Sequence, residues 1–257
     1  MFDHAKEALQ YLLEPIGFMF YSSLYLPGTV LSLLSTGQFS TLLSPSAFKY
    51  AWFARFWAVF GPLTKQGPRE TIAPLMKLAK GVVVEIGPGG GEWIDMYDKE
   101  KVTKIYGVEP NKDHHERLRK RVKELGLSDV YEIVPVGVED LGTRWVQEGE
   151  VDSIVTVQCL CSVSNPKAMI KSLYGYLKPG GQWIVYEHVI THVGGLVAWY
   201  QWAIDFIWPH FLGGCSITRD SEKWLKETGT WSKVDLKQPD NESSYMVLPH
   251  VMGTLTK

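Results

Sequence analysis

Gly87, Gly89 and Gly91 stand at alternate positions directly after Val82-Val83-Val84-Glu85-Ile86. That apolar, β-branched run reads as a buried strand. The glycines let the backbone turn and approach a ligand where a Cβ would collide. Glu92-Trp93-Ile94 predicts the start of a helix, whose first N–H groups are free and partially positive. The spacing is Glu-x-Gly-x-Gly-x-Gly, not the dinucleotide Gly-x-Gly-x-x-Gly. A second acidic residue sharpens the reading. Lys104-Ile105-Tyr106-Gly107-Val108 is a predicted strand that ends at Glu109, 24 residues after Glu85. A carboxylate at the tip of a second strand is placed to grip a ribose diol.

These residues need a parallel sheet beneath them, and the chain predicts one. Strand and helix patterns alternate from residue 82 onward. Residues 131–134, 151–158 and 182–187 read as the third, fourth and fifth strands. The fourth is almost wholly apolar, as a central parallel strand should be. Residues 111–125 predict a helix, with His114 and His115 as solvated first-turn positions. Asn165-Pro166 is an N-cap and first-turn pair for the next helix. Helical patterns follow over 196–211, broken near Pro209, and over 220–227. Residues 234–237 and 245–255 predict an edge hairpin. In such sheets ligands sit at the carboxyl ends of the strands. The positions that matter are therefore those just after each strand.

Glu85-Ile-Gly-Pro-Gly-Gly-Gly91, Glu109-Pro-Asn111 and Leu177-Lys-Pro-Gly-Gly181 resemble the class I S-adenosylmethionine-dependent methyltransferases over roughly residues 80–257. Cys161-Ser-Val163, Glu187-His-Val189, the Trp-rich run to Trp208 and Gly214-Cys-x-Ile-Thr-Arg219 are closest to one branch. That branch is the small membrane-associated thiol methyltransferases and their fungal, phospholipid-methyltransferase-like homologues. The resemblance implies a Rossmann-like α/β sheet, mostly parallel with an antiparallel edge hairpin and flanked by helices. It implies S-adenosylmethionine as cofactor. Glu85, Gly87, Gly89 and Gly91 would hold its methionine end, with Glu85 near the ammonium. Glu109 would take the ribose hydroxyls, with Pro110 and Asn111 beside the adenine. The family often has an Asp at the position of Gly137. Here Glu139 or Asp140 takes that contact, or the backbone and packing at Val138 do. Gln158 and Cys159 would lie against the methionine moiety and the sulfonium.

A methyl sulfonium is already reactive, so the protein must align a nucleophile and exclude water. A thiol needs only modest help to ionise, whereas a hydroxyl needs a general base. His188 is the first candidate for a base or an acceptor-orienting residue. Its alternative is a structural His bonding the neighbouring loop. Asp205 and His210 are further candidates, because polar groups on the apolar 196–211 segment are costly to bury without a partner. Cys159 reads as a small apolar lining residue, since methyl transfer needs no covalent enzyme intermediate.

The 257 residues fit one domain with an appendage. The boundaries read as an apolar helical extension over 1–65 and the catalytic domain over 66–257. A net charge of −2 excludes a global basic field and argues against nucleic acid. Three cysteines make neither a disulfide framework nor a zinc set, so no metal is expected. Asp3, Lys6, Glu7 and Glu14 are not the basic start of a cleavable signal. A cytoplasmic location follows, with the cytosolic face of an internal membrane as the alternative. No charge occurs between Glu14 and Lys49. Pro27-Gly28 should break that stretch into two helices. Residues 15–48 read as a membrane-surface segment, an apolar lid, or plain core. Residues 47–60 predict an aromatic helix ended by Gly61-Pro62. Ten tryptophans serve either core packing or an aromatic wall around an apolar substrate.

The expected activity is methyl transfer to a small apolar acceptor. A thiol comes first, then a hydroxyl or amine of a lipid or secondary metabolite. The alternative keeps the cofactor but directs a cyclisation of the pericyclase type without methyl transfer.

Overall fold

The computed structural model describes residues 2–257. Five strands run parallel: β1 (Gly81–Ile86), β2 (Val102–Val108), β3 (Tyr131–Val134), β4 (Val151–Val157) and β5 (Leu177–His188). Two more, β6 (Lys233–Lys237) and β7 (His250–Thr256), close one edge antiparallel. The order across the sheet is β3-β2-β1-β4-β5-β7-β6. The switch in strand order falls between β1 and β4, where a crevice opens. The side-chain period of two sends Val84 into one core and its neighbour Val83 into the other. Both faces of the central strands are thus apolar, as their composition requires.

Local signals set several helix starts. In α6 (His115–Glu124) and the 3-10 turn before it, Asn111 Oδ1 accepts from the Asp113 N–H. In α7 (Pro166–Tyr176), Asn165 Oδ1 accepts from the Ala168 N–H.

The helix expected after the glycine loop does not form. A single 3-10 turn at Ile94–Met96 stands there. β1 has six residues and spans ~20 Å, so a helix returning beside it needs ~13 residues. Only ten residues, 92–101, separate the loop from β2. The chain therefore returns through bends, the 3-10 turn and further turns, with Trp93, Ile94, Met96 and Tyr97 buried.

Five helices precede the sheet: α1 (Phe2–Ser23), α2 (Leu26–Ser35), α3 (Phe39–Leu43), α4 (Pro45–Thr64) and α5 (Arg69–Met76). The break between the first two lies at Leu24-Tyr25, and Pro27 sits in the first turn of α2, where its missing N–H costs nothing. α4 continues through Gly61-Pro62 to Thr64. Pro62 is in the last turn, and Thr64 Oγ1 donates to the Gly61 carbonyl at 2.8 Å. Downstream, α8 (Leu196–Asp205), α9 (Trp208–Phe211) and α10 (Ser221–Glu227) follow β5. The last strand starts at His250, so residues 238–249 form an irregular loop.

The N-terminal helices share a core with the C-terminal half. Met19 and Phe56 pack with Cys161, Ile204, Trp208 and Leu248. Trp52 Nε1 donates to the Ser22 carbonyl at 2.9 Å, and Ser22 Oγ donates to the Phe211 carbonyl at 2.7 Å. Leu9, Leu13, Ile16, Phe20 and Leu24, on the other side of α1 and its turn, are exposed. The stretch Lys6–Ser35, with mean hydropathy 1.3 over its most apolar window, is long and apolar enough to cross a membrane by length and composition.

Phe56 is fully buried and its ring stacks on Phe60 at 4.8 Å. Phe56→Ala is expected to cost ~3–5 kcal/mol, read as a lower urea midpoint.

Candidate active site

A cavity of about 1150 Å³ opens above the carboxyl ends of β1, β2, β4 and β5. Gly87, Pro88 and Gly89 line it at the tip of β1. Gly89 has φ +57, and a Cβ there would lie 2.9 Å from Glu92 Oε2. The loop therefore accepts only glycine at this point.

Glu109 ends β2 and joins the two strand tips. Its Oε2 accepts from the Gly89 N–H at 3.0 Å, and its Oε1 from the Asn111 N–H at 2.9 Å. Burial pushes this carboxyl up to about 7, against the pull of those two N–H groups. Pro110 and Asn111 line the wall beside it, and Asn111 Nδ2 donates to the Tyr50 carbonyl of α4.

Glu85 is not in the cavity wall. It faces beneath the loop, where Tyr131 Oη donates to its Oε2 at 2.8 Å. Complete burial pushes it up to about 7. Gly91 also lies off the wall, packed against Ile94 and Leu118. The carboxylate that does line the cavity near the loop is Glu92, paired with Arg117 at 2.9 Å.

His114 and His115 are buried, not solvated. α4 lies over this helix start, with Phe53 edge-on to His114 and the Trp57 carbonyl accepting from Arg117. His114 lines the cavity, and burial pushes its imidazole down to about 4. His115 Nε2 bonds the Glu109 carbonyl at 2.7 Å.

Val138 and Glu139 reach the wall beside Gly137, whereas Asp140 is exposed. At the end of β4, Gln158 and Cys159 line the cavity. Gln158 has φ +54, the one left-handed non-glycine among the described residues. Its Oε1 is buried without a partner among them. Such a strained residue with an orphaned acceptor marks a place built for a ligand. The Cys159 and Leu160 N–H groups donate to the buried Glu187 carboxylate, which anchors this turn from below. Burial pushes the Cys159 thiol up, so it stays neutral.

His188 is in the wall, and its Nδ1 is buried with no partner among the described residues. Burial holds its imidazole well below the usual range. The other two candidates are not brought here. Asp205 accepts from the Ile217 N–H, Ser216 Oγ and Thr218 Oγ1, which ties α8 to the next loop. His210 is exposed and off the wall.

A lid was one reading of the N-terminal segment, but sequence reasoning named none of the residues of the opposite wall. Tyr11, Glu14 and Phe18 of α1 and Phe53 and Trp57 of α4 close the cavity from above. It also missed Glu242 and His250, which enter from the irregular loop and the start of β7. His250 Nδ1 bonds Glu242 Oε1, and its backbone N–H donates to Glu242 Oε2 at 2.9 Å. The His250 ring lies 4.2 Å from His188 and 4.6 Å from Tyr186. No local pattern announced this pair.

The site suits S-adenosylmethionine on its own geometry. The glycine cradle admits close backbone approach, the carboxylates of Glu109 and Glu92 favour a cation, and Gln158 Oε1 awaits a donor. Among the described residues, no three His, Cys, Asp or Glu side chains are placed to hold a metal ion.

A methyltransferase-domain family profile matches residues 63–229. The chain belongs to the methyltransferase-domain family. It is similar to human thiol S-methyltransferase TMT1A, 27% identical over 215 residues, covering 80% of this chain and 86% of the relative. The fold matches the N-methyltransferase NodS of Bradyrhizobium japonicum in complex with S-adenosyl-L-homocysteine. That match has a TM-score of 0.57 at 14% identity, over 81% of this chain and 97% of that one. The [4+2]-cyclase SpnF matches with a TM-score of 0.56 at 17% identity, over 73% and 78% of the two chains. The chain is an S-adenosylmethionine-dependent methyltransferase.

Glu109→Gln and Glu85→Gln separate the two buried carboxylates. Glu109→Gln is expected to weaken cofactor binding by ~1–3 kcal/mol in calorimetric titration. Glu85→Gln should leave that affinity and change stability instead. Burial holds both carboxyls above the usual glutamate range, at about 7. The fold therefore binds more protons than the unfolded chain in between, and stability falls as pH rises through that window. Glu85→Gln should flatten that fall in a series of thermal melts.

Proposed function

We propose that this chain transfers the methyl group of S-adenosylmethionine to the sulfur of a small apolar thiol. One observation carries the reading. A single cavity joins the glycine loop and Glu109 to an aromatic wall of Phe18, Phe53, Trp57 and Trp208. At about 1150 Å³ it exceeds the ~300–1,000 Å³ of ordinary small-molecule sites, which leaves space for an acceptor beside the cofactor. The thiol S-methyltransferases among the relatives favour sulfur over oxygen or nitrogen.

When bound, the cofactor supplies an electrophilic methyl group. In this reading Gly87, Gly89 and Gln158 hold its methionine end. Glu109 accepts from the ribose hydroxyls, since each carboxylate oxygen keeps a second lone pair beyond its backbone bond. Pro110, Asn111, Val138 and Glu139 flank the adenine. Cys159 is a neutral, apolar neighbour of the reacting centre. The aromatic wall excludes water and orients a greasy acceptor.

Residues 1–65 act as a lid on the catalytic domain of 66–257. The inner face of α1 lines the cavity, while its outer apolar stripe has no partner among the described residues. From Pro15 onward α1 carries no charge, and such an uncharged stretch belongs against two apolar surroundings. The second is a membrane interface on the cytosolic side, reached through residues 15–48, from which an apolar thiol would enter.

Incubation with methyl-labelled cofactor and a panel of thiols, phenols and amines tests the acceptor. Label should appear in thioethers, with one S-adenosylhomocysteine per turnover. Label in phenols alone, or a product with no gain in mass, refutes the thiol reading; the second result points to cyclisation. Phe20→Ser with Leu31→Ser, both at exposed positions, should abolish flotation with phosphatidylcholine vesicles while the thermal midpoint holds.

A further inference from the structure

The cavity contains one set of groups that none of these assignments uses. His188 and His250 face each other across the β5–β7 pairing, and Glu242 stands behind His250. We propose that His250, oriented by Glu242, is the base that takes the proton of the acceptor thiol. This rests on the S-methylation reading above.

The geometry separates the two rings. Glu242 holds His250 twice, through ring Nδ1 and through the backbone N–H. A carboxylate on Nδ1 fixes the proton there and leaves the Nε2 lone pair free to act as a base. Gln158 Nε2, an N–H donor, lies 3.4 Å from that Nε2. A donor there agrees with a lone pair on the ring. At that length the bond is weak, so a thiol S–H can replace it. His188 has no such carboxylate and lies 4.2 Å from the His250 ring. Two imidazolium rings at that distance repel, so one proton is accommodated, and the ring backed by Glu242 receives it.

The step balances. The S–H proton goes to His250 Nε2, and the thiol sulfur forms a bond to the methyl carbon. The methyl–sulfonium bond breaks, and its electron pair stays on the cofactor sulfur. The products are a thioether and S-adenosylhomocysteine. The positive charge leaves the sulfonium and appears on the imidazolium, so the net charge of the cavity is unchanged. Burial pushes the His250 ring down to about 3, so in the empty cavity it is unprotonated at neutral pH and a weak base. Proton transfer to it is therefore coupled to methyl transfer, which removes the sulfonium charge as the imidazolium charge forms, beside a Glu242 carboxyl that burial raises to about 7. The other titratable groups facing the pair are Tyr186 and His188 of β5 and Tyr11 and Glu14 of α1. Glu14 is itself raised, by burial first and by Glu242 second. A base matters because an ordinary thiol, with pKa near ~8.5, is mostly protonated at neutral pH.

The test measures kcat/KM from pH 6 to ~10, spanning the thiol range, for two acceptors. One is an alkanethiol, protonated at neutral pH. The other is an electron-poor arenethiol, already ionised there. His250→Gln should lower the alkanethiol rate ~10²–10⁴-fold at neutral pH, in the range of general-base catalysis, and the loss should shrink as pH rises. The arenethiol rate should fall less than ~10-fold, because no proton remains to be removed. Glu242→Gln should give the same split with a smaller loss, and it carries the test if His250→Gln does not fold. Calorimetric titration with S-adenosylhomocysteine confirms that each variant is folded. Equal losses on both thiols at every pH overturn the base assignment and leave S-methylation standing. A wild-type protein that binds cofactor and methylates neither thiol overturns both.

Discussion

One carboxylate holds together the tips of the first two parallel strands. Glu109 accepts from the N–H of Gly89 and from that of Asn111, so β1 and β2 end at a common point. The Gly89 end of the loop is buried, and a buried N–H without a partner is expensive. Glu109 supplies that partner and in doing so sets the shape of the loop. The cavity floor, the exit of β2 into α6 and the seat of α4 on Asn111 all follow from that placement. The arrangement is costly to the carboxylate, whose charge is disfavoured by burial until a ligand with donors arrives.

The loop needs a roof, and the N-terminal helices provide it. α1 and α4 are not a detached appendage, because Met19 and Phe56 share a core with Trp208 and Leu248. The same helices that bury the site also expose a row of Leu, Ile and Phe outward. A two-faced apolar helix is a poor solution for a protein surrounded by water alone. It fits the proposed reading, in which the enzyme takes an apolar acceptor and keeps water from the reacting centre.

The sheet is common to proteins of very different chemistry. NodS and SpnF share it at 14% and 17% identity. Function therefore resides in what hangs on the strand ends. Here that includes the strained Gln158 backbone, the carboxylate-backed His250 and an aromatic ceiling drawn from helices outside the sheet.

Strand runs, the N-cap at Asn165, the glycine loop and Glu109 were legible in the chain because each depends on neighbours in sequence. A period of two, a cap and a turn are local constraints. The orientation of Glu85 was not legible. Both faces of a central strand are buried, and only the packing of Tyr131 shows which face the carboxylate takes. His114 and His115 look solvated on their own helix and become buried only when α4 lands on them. The missing helix after the loop follows from a length limit that matters once the sheet spacing is known. Glu242 and His250 are eight residues apart, and the partner ring is 62 residues before His250. Their meeting is decided by antiparallel register and a loop without periodicity. The sequence by itself determined the fold class, the glycine loop and the carboxylate at the tip of β2, because those rest on short-range backbone geometry. The far wall of the cavity was decided by tertiary structure alone, because it is made where distant segments exclude water together.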